Sequence, residues 1–570
     1  MTDPRVEALR ASARSGRMTR RDVLAAGLRF GLATPVILGL MAEAPEAGAA
    51  PGPAVRQPWP EHADNGTTFV YLRDGSSPDI DPHYAYNNAP QSIILGLYEM
   101  LIQYKGDATD QYEPMLAESW TASADQSTFT FKLYPNVTFH DGDPCTAHSV
   151  HDSFNRLLLQ NAGPVAVLQR FMPDPAMMTI VDDLTITFNL GKPQPLFLSA
   201  MAASYGPFVI NPKYVDLHKT ADDPWAHEWF RQNAIGTGPY KLKENSATEQ
   251  VILEKFDGYH GGWDGVHFTT IICRIVPEIT TRRELVESGE ADATTENLTP
   301  DDVASLKGNA ALQVLTYAST NVQWAIMNAP RLKTKEVRQG FSYAFPYDLV
   351  VNSAYKGLLK RSGPIASTVR ASDPGVFLYQ TDLDKAKQLI LAGGFKEGDS
   401  FDWIFGAGDA YDPIVSQLFQ ANLETIGFKL NITTMEGGTF TDMVYGNSPA
   451  ESRPHFIGGW GWWPDYNDPW SQLHPNFAKV SEGGGGSNAG FYENARFEEL
   501  MAQAEHYTDE AQLTIVMKEA QNILTEQDPA ALFYGELSWY TAMRKEIQGF
   551  VGNPLYLGSF PFYRMSRTAP

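Results

Sequence analysis

The sequence predicts a mixed α/β or α+β fold spread over several domains, and three observations carry that prediction. At 570 residues the chain exceeds what one hydrophobic core supports, so two to four domains are expected. A hydrophobic content of 43% with 19% charged residues describes a folded protein rather than a disordered one. Short stretches of alternating hydrophobicity intermix with stretches of helical spacing throughout, which layers sheets against helices.

The elements follow in order. Residues 67–72 (TTFVYL) read as a strand, and 76–88 as a loop of turn formers. Residues 93–104 carry helical spacing, with Ile94, Leu97, Tyr98 and Leu101 on one face. Residues 129–133 and 184–190 alternate as half-buried strands, and 146–159 between them reads as a helix. Strands are expected over 251–255 and 269–276, then a helix over 281–289 that stops at Gly289. Amphipathic helices over 383–391 and 413–426 each end at glycine, and a strand over 430–435 follows the second. Late helices cover 497–505 and 510–526. Trp324 and Trp403 read as core residues.

The formal charge is −23, from 44 basic and 67 acidic residues, which disfavours nucleic acid and anionic membranes as partners. Cys145 and Cys273 allow one disulfide at most and are expected to remain separate thiols. The N-terminal 50 residues read as an export signal. Arg20 and Arg21 form a twin-arginine pair, 30–42 is apolar, and Ala47-Gly48-Ala49-Ala50 offers a cleavage site. Thirteen apolar residues are too few to cross a bilayer comfortably. A linker rich in Pro and Gly over 51–66 follows.

The most unusual stretch is 458–470, GGWGWWPDYNDPW, with four tryptophans, Tyr466, Asp465 and Asp468. Pro464 and Pro469 argue against a regular helix, so a stiff aromatic turn is expected. Aromatics around a carboxylate suit a pocket wall for a ligand with a positive end. On composition alone, core packing is the commoner role for such rings.

Several segments in order resemble one family. Tyr112-Glu113-Pro114-Met115-Leu116-Ala117-Glu118-Ser119-Trp120 leads into Thr128-Phe129-Thr130-Phe131-Lys132-Leu133, then Val137-Thr138-Phe139-His140-Asp141-Gly142. Ile235-Gly236-Thr237-Gly238-Pro239-Tyr240, Glu287-Ser288-Gly289-Glu290-Ala291-Asp292 and Asp384-Lys385-Ala386-Lys387-Gln388-Leu389 follow. Together they resemble the family 5 extracellular solute-binding proteins of ABC importers, the peptide- and nickel-binding class, over about residues 66–560. Pro346 departs from the pattern, standing where the family usually continues a helix.

The resemblance implies an α/β, two-lobed periplasmic-binding-protein fold with an inserted extra domain and a hinged cleft. Lobe I would comprise 51–102, 236–320 and 529–570, the insert 103–235, and lobe II 321–528. It implies capture of a short peptide or another amine-bearing solute, with delivery to an ABC permease in the membrane. The protein would be a periplasmic or extracytoplasmic monomer with no cofactor and no nucleic-acid partner. In peptide-binding members, the aspartate of a Gly-Trp-x-x-Asp turn takes the ligand's amino group. That turn is Gly461 to Asp465 here, which makes Asp465, Trp462, Trp463 and Trp460 candidate ligand contacts. Tyr84 and Tyr86 join them from the loop after Asp79-Ile80-Asp81, which resembles the family's cleft-lining loop in lobe I. Asp468 reads as a turn or cap residue.

Two other readings stay open at this level. An oligosaccharide or opine-like solute would stack on Trp460, Trp462 and Trp463. A secreted hydrolase needs two carboxylates divided into acid and base, and Asp465 with Asp468 shows no such division. No nucleophile elbow, zinc-binding helix motif or phosphate loop is present, so no catalytic residue is assigned. His140, His148 and His151 read as structural or surface residues, and no metal is expected.

Overall fold

The computed structural model describes residues 67–568, except positions 74, 76–78, 89, 247, 295–297, 483–486, 506 and 557. The export signal, the linker and part of the 76–88 loop lie outside the described residues. No described helix is long and apolar enough to cross a membrane.

Three sheets organise the described chain. The largest has seven strands, running Tyr240–Asn245, Gln250–Lys255, Thr270–Ile275, Thr68–Arg73, Ala293–Thr294, Trp539–Arg544 and Leu312–Tyr317 across it. Thr68–Arg73 lies parallel to both of its neighbours. Its side chains alternate between two cores: Phe69 and Tyr71 face one, Val70 and Leu72 the other. Covering on both faces explains why this strand is a continuous apolar run.

The six-stranded sheet runs Leu359–Lys360, Ala531–Leu537, Val322–Met327, Phe456–Trp462, Ser400–Gly406 and Lys429–Met435. Trp324 and Ile326 face one of its cores, and Ala325 and Met327 the other. Trp324 and Trp403 are fully buried, as their sequence context led us to expect. The third sheet joins Ala117–Ala122, Thr128–Leu133, Thr185–Asn189 and Met178–Asp182, with helix Ala147–Gln160 against it. Cys145 lies in the core of this insert and Cys273 in that of the seven-stranded body, and no disulfide joins them.

Most sequence-derived elements form within a residue or two of expectation, but two points differ. The helix expected over 93–104 stops at Leu97. Glu99–Met100 instead pairs with Phe208–Val209, and Ile102–Tyr104 with Tyr112–Pro114. The cause is close packing by a glycine segment. Gly238 N–H donates to Leu97 O at 3.1 Å, and a Cβ on Gly236 would sit 2.0 Å from that oxygen. With the chain flattened there, pairing partners far away in sequence override the helical spacing.

Second, Ala531–Leu537 belongs to the six-stranded sheet, paired with Val322–Met327. By hydrogen bonding, the return to the seven-stranded body therefore falls at Ser538, not near 529. At Pro346, where the sequence departs from the family pattern, helix Lys335–Ala344 has already ended, and a new short helix starts at Tyr347. Two chain crossings join the large bodies, between Tyr317 and Val322 and between Leu537 and Trp539. They run side by side: Leu537 N–H donates to Asn321 O at 2.9 Å.

Candidate functional site

The stretch 458–470 is not one turn. Its first residues lie in strand Phe456–Trp462, with Val322–Met327 on one side and Ser400–Gly406 on the other. Trp460 therefore points into the core, 8% exposed and beside Tyr445. This corrects its candidacy as a ligand contact. Trp462 is half-buried, and its indole N–H donates to Ser471 O at 3.0 Å. Trp463 is also half-buried, at the strand's end. Helix Pro469–Phe477 then begins, with Pro469 at its first position and Asp468 as N-cap. Between the strand's last residue and that N-cap lies a turn of five residues, Trp463 to Asn467, with Pro464 inside it.

That turn meets the other bodies residue by residue. Asp465 accepts hydrogen bonds from the Tyr86 hydroxyl, 2.9 Å from both carboxylate oxygens. Tyr466 enters the insert's core and stands edge-on to Phe171 at 5.6 Å. The Asn467 amide donates to Thr109, at 3.0 Å to Oγ1 and 3.2 Å to the carbonyl. Asp468 pairs with Arg170, whose guanidinium lies 4.4 Å from the Trp470 ring and also donates to Glu505 O. Both members of this pair are buried.

Asp465 is the electrostatic outlier. Asp465 is half-buried as a residue, but protein packs densely around its carboxylate, and that desolvation pushes its pKa up to about 7 despite the hydrogen bond from Tyr86. Among the described residues no lysine, arginine or histidine forms an ion pair with it. A buried acid without a cation is costly and is a common mark of a binding site. Asp468 is the contrast: three residues on, it already holds both a cation and a helix cap.

Tyr86 reaches the site because its loop is firmly pinned. Burial alone would raise the pKa of Asp81, but the bidentate Arg156 guanidinium, at 2.6 and 2.8 Å, holds it well below the usual carboxylate range. His83 and His227 complete that cluster. Tyr84 points elsewhere: it is 46% exposed and stacks on His227 at 3.6 Å between centroids. Of the two loop tyrosines, the structure brings only Tyr86 to Asp465. His140 bonds Gly238 O, and His148 and His151 lie beside Asp183 and Asp152. Arg170 and Thr109 were missed in the sequence, since no local pattern marks a side chain that acts across a seam.

Residues 111–484 match the profile of the bacterial extracellular solute-binding proteins, family 5 Middle. The chain belongs to that family. It is 30% identical over 494 residues to the probable D,D-dipeptide-binding periplasmic protein DdpA of Escherichia coli K12, covering 86% of this chain and 92% of that one. Heme-binding protein A of Haemophilus influenzae is 26% identical over 534 residues, with coverages of 88% and 93%. The fold matches a crystal structure of a dipeptide binding protein from Pseudoalteromonas sp. SM9913 in complex with Met-Leu. There the TM-score is 0.76 at 21% identity, with coverages of 88% and 100%. The fold is the two-lobed one of this family.

Proposed function

We propose that this protein captures a short peptide, or a similar small solute with a cationic amine, between its seven- and six-stranded bodies and passes it to an ABC permease. One observation carries the reading: Asp465 lies at the seam with a hydroxyl for a partner and, among the described residues, no cation. An ammonium group would supply the missing charge through a short, charge-assisted bond. The peptide-related names among the relatives support the same ligand class. The paired crossings near residues 320 and 538 suit a hinge about which the bodies close on their guest. Export by the twin-arginine route and a monomeric state belong to the same proposal. A sugar stacked on three indoles is disfavoured, because Trp460 is core.

The test is calorimetric titration with dipeptides and their N-acetylated counterparts. Asp465→Ala is expected to weaken the free-amine ligands by roughly 2–5 kcal/mol and leave acetylated ones unaffected. Equal affinity for both forms in the wild type would remove the amine reading, and recovery of cleaved peptide would remove the transport reading.

A further inference from the structure

A cavity of about 520 Å³ opens where the insert meets the seven-stranded body and the C-terminal segment. It shares no lining residue with the Asp465 seam. Its volume lies in the range that holds small ligands. Tyr104, Tyr134, Tyr259, Tyr556, Phe560 and Tyr563 line it. Most of the tyrosine hydroxyls are already engaged: Tyr104 on Ser199, Tyr259 on Glu99, Tyr556 on Ala202 O and Tyr563 on Gly262 O. These bonds hold the rings in place and leave apolar ring surface as what they offer a guest.

The charged groups of the lining are already engaged. His260 is oriented by fully buried Glu99 through Nε2 at 2.9 Å. Arg564 is paired with Glu113. No charged ligand is therefore called for, and fixed aromatic surface is what the lining presents to a guest. We propose that this cavity is a binding site, separate from the Asp465 seam, for a flat, neutral aromatic compound.

The probe is 2-naphthol, with ring-saturated decahydro-2-naphthol as the shape control, titrated against the purified protein. Saturable binding of 2-naphthol is expected, at least ten-fold tighter than that of the saturated analogue and unchanged in Asp465→Ala. Val551 lines the cavity yet is 48% exposed, so Val551→Trp should fold normally and lower the affinity at least ten-fold. Gln103→Trp, on the insert side, provides a second block if the first variant melts early. No saturable binding, equal binding of the saturated analogue, or binding lost in Asp465→Ala but kept in both tryptophan variants would overturn the proposal. The last result would put the probe in the seam and leave the amine reading standing.

Discussion

Asp465 and Asp468 lie three residues apart on one turn, yet their surroundings give them opposite tasks. Asp468 is neutralised by Arg170 and caps a helix, so it holds structure. Among the described residues the Asp465 carboxylate has the Tyr86 phenol and no cation, and its pKa near 7 sets a testable pH dependence. An acid whose folded pKa is raised favours the native state while protonated and loses that advantage as pH climbs from its unfolded value near 4 through 7. Asp465→Asn carries no such charge. The variant is therefore expected to melt higher than the wild type at pH 8, with the difference largely gone at pH 5. Equal differences at both values would mean that the carboxylate is solvated. An arriving ammonium should also expel the proton. Calorimetry at pH 6 in buffers of different ionisation enthalpy is expected to show release approaching one proton per dipeptide, and zero release would contradict the buried acid.

Elements position these groups through contacts that each depend on few atoms. The turn after strand Phe456–Trp462 inserts Tyr466 into the insert's core and lays Asp468 on Arg170. Breaking one side of a buried ion pair commonly costs about 3–5 kcal/mol, because the remaining charge stays unpaired. Arg170→Met should therefore disfavour the closed arrangement and leave each sheet intact. A larger radius of gyration with an unchanged circular dichroism spectrum is the expected signature. A radius equal to the wild type would show that the pair is not a latch. Elsewhere, Gly236 admits no side chain because Leu97 O occupies the Cβ position. Gly236→Ala should lower the melting temperature by several degrees, since the glycine segment must lift away from the end of helix Gln91–Leu97. An unchanged melting temperature would mean that the backbone yields there at little cost.

At the scale of the whole molecule, the two crossings between the large bodies lie hydrogen-bonded to each other, so one narrow region joins them. Ligand acts on such a joint only through its different affinity for the open and closed forms. Small-angle scattering should record a smaller radius with saturating dipeptide than without it, and Asp465→Ala should abolish the change. Identical profiles across a panel of amines would end the clamp reading. The negative surface charge is compatible with this picture, since the recognised cation meets one acid at a seam rather than the surface average.

Much of this architecture was legible in the residues, for local reasons. Alternation marked Thr128–Leu133 and Thr185–Asn189, and glycine stops marked the ends of helices such as Ile279–Ser288. The ordered motifs pointed to the family, and the Gly-Trp-x-x-Asp turn singled out Asp465. What escaped was decided by partners distant in the chain. The 93–104 segment has good helical spacing, yet Gly238 and the strands at 112 and 208 claim half of it. Trp460 looked like part of an aromatic wall, but it pairs with Trp324 within the sheet and packs into the core. Arg170 meets Asp468 across 298 residues of sequence, a separation that no spacing rule reaches. Sequence alone determined the repertoire of elements and the acid at the turn, because hydrophobic period and turn chemistry are properties of neighbours. Tertiary structure decided which side chains face the seam and which acid is left without a cation, because burial and charge pairing exist only once distant segments meet.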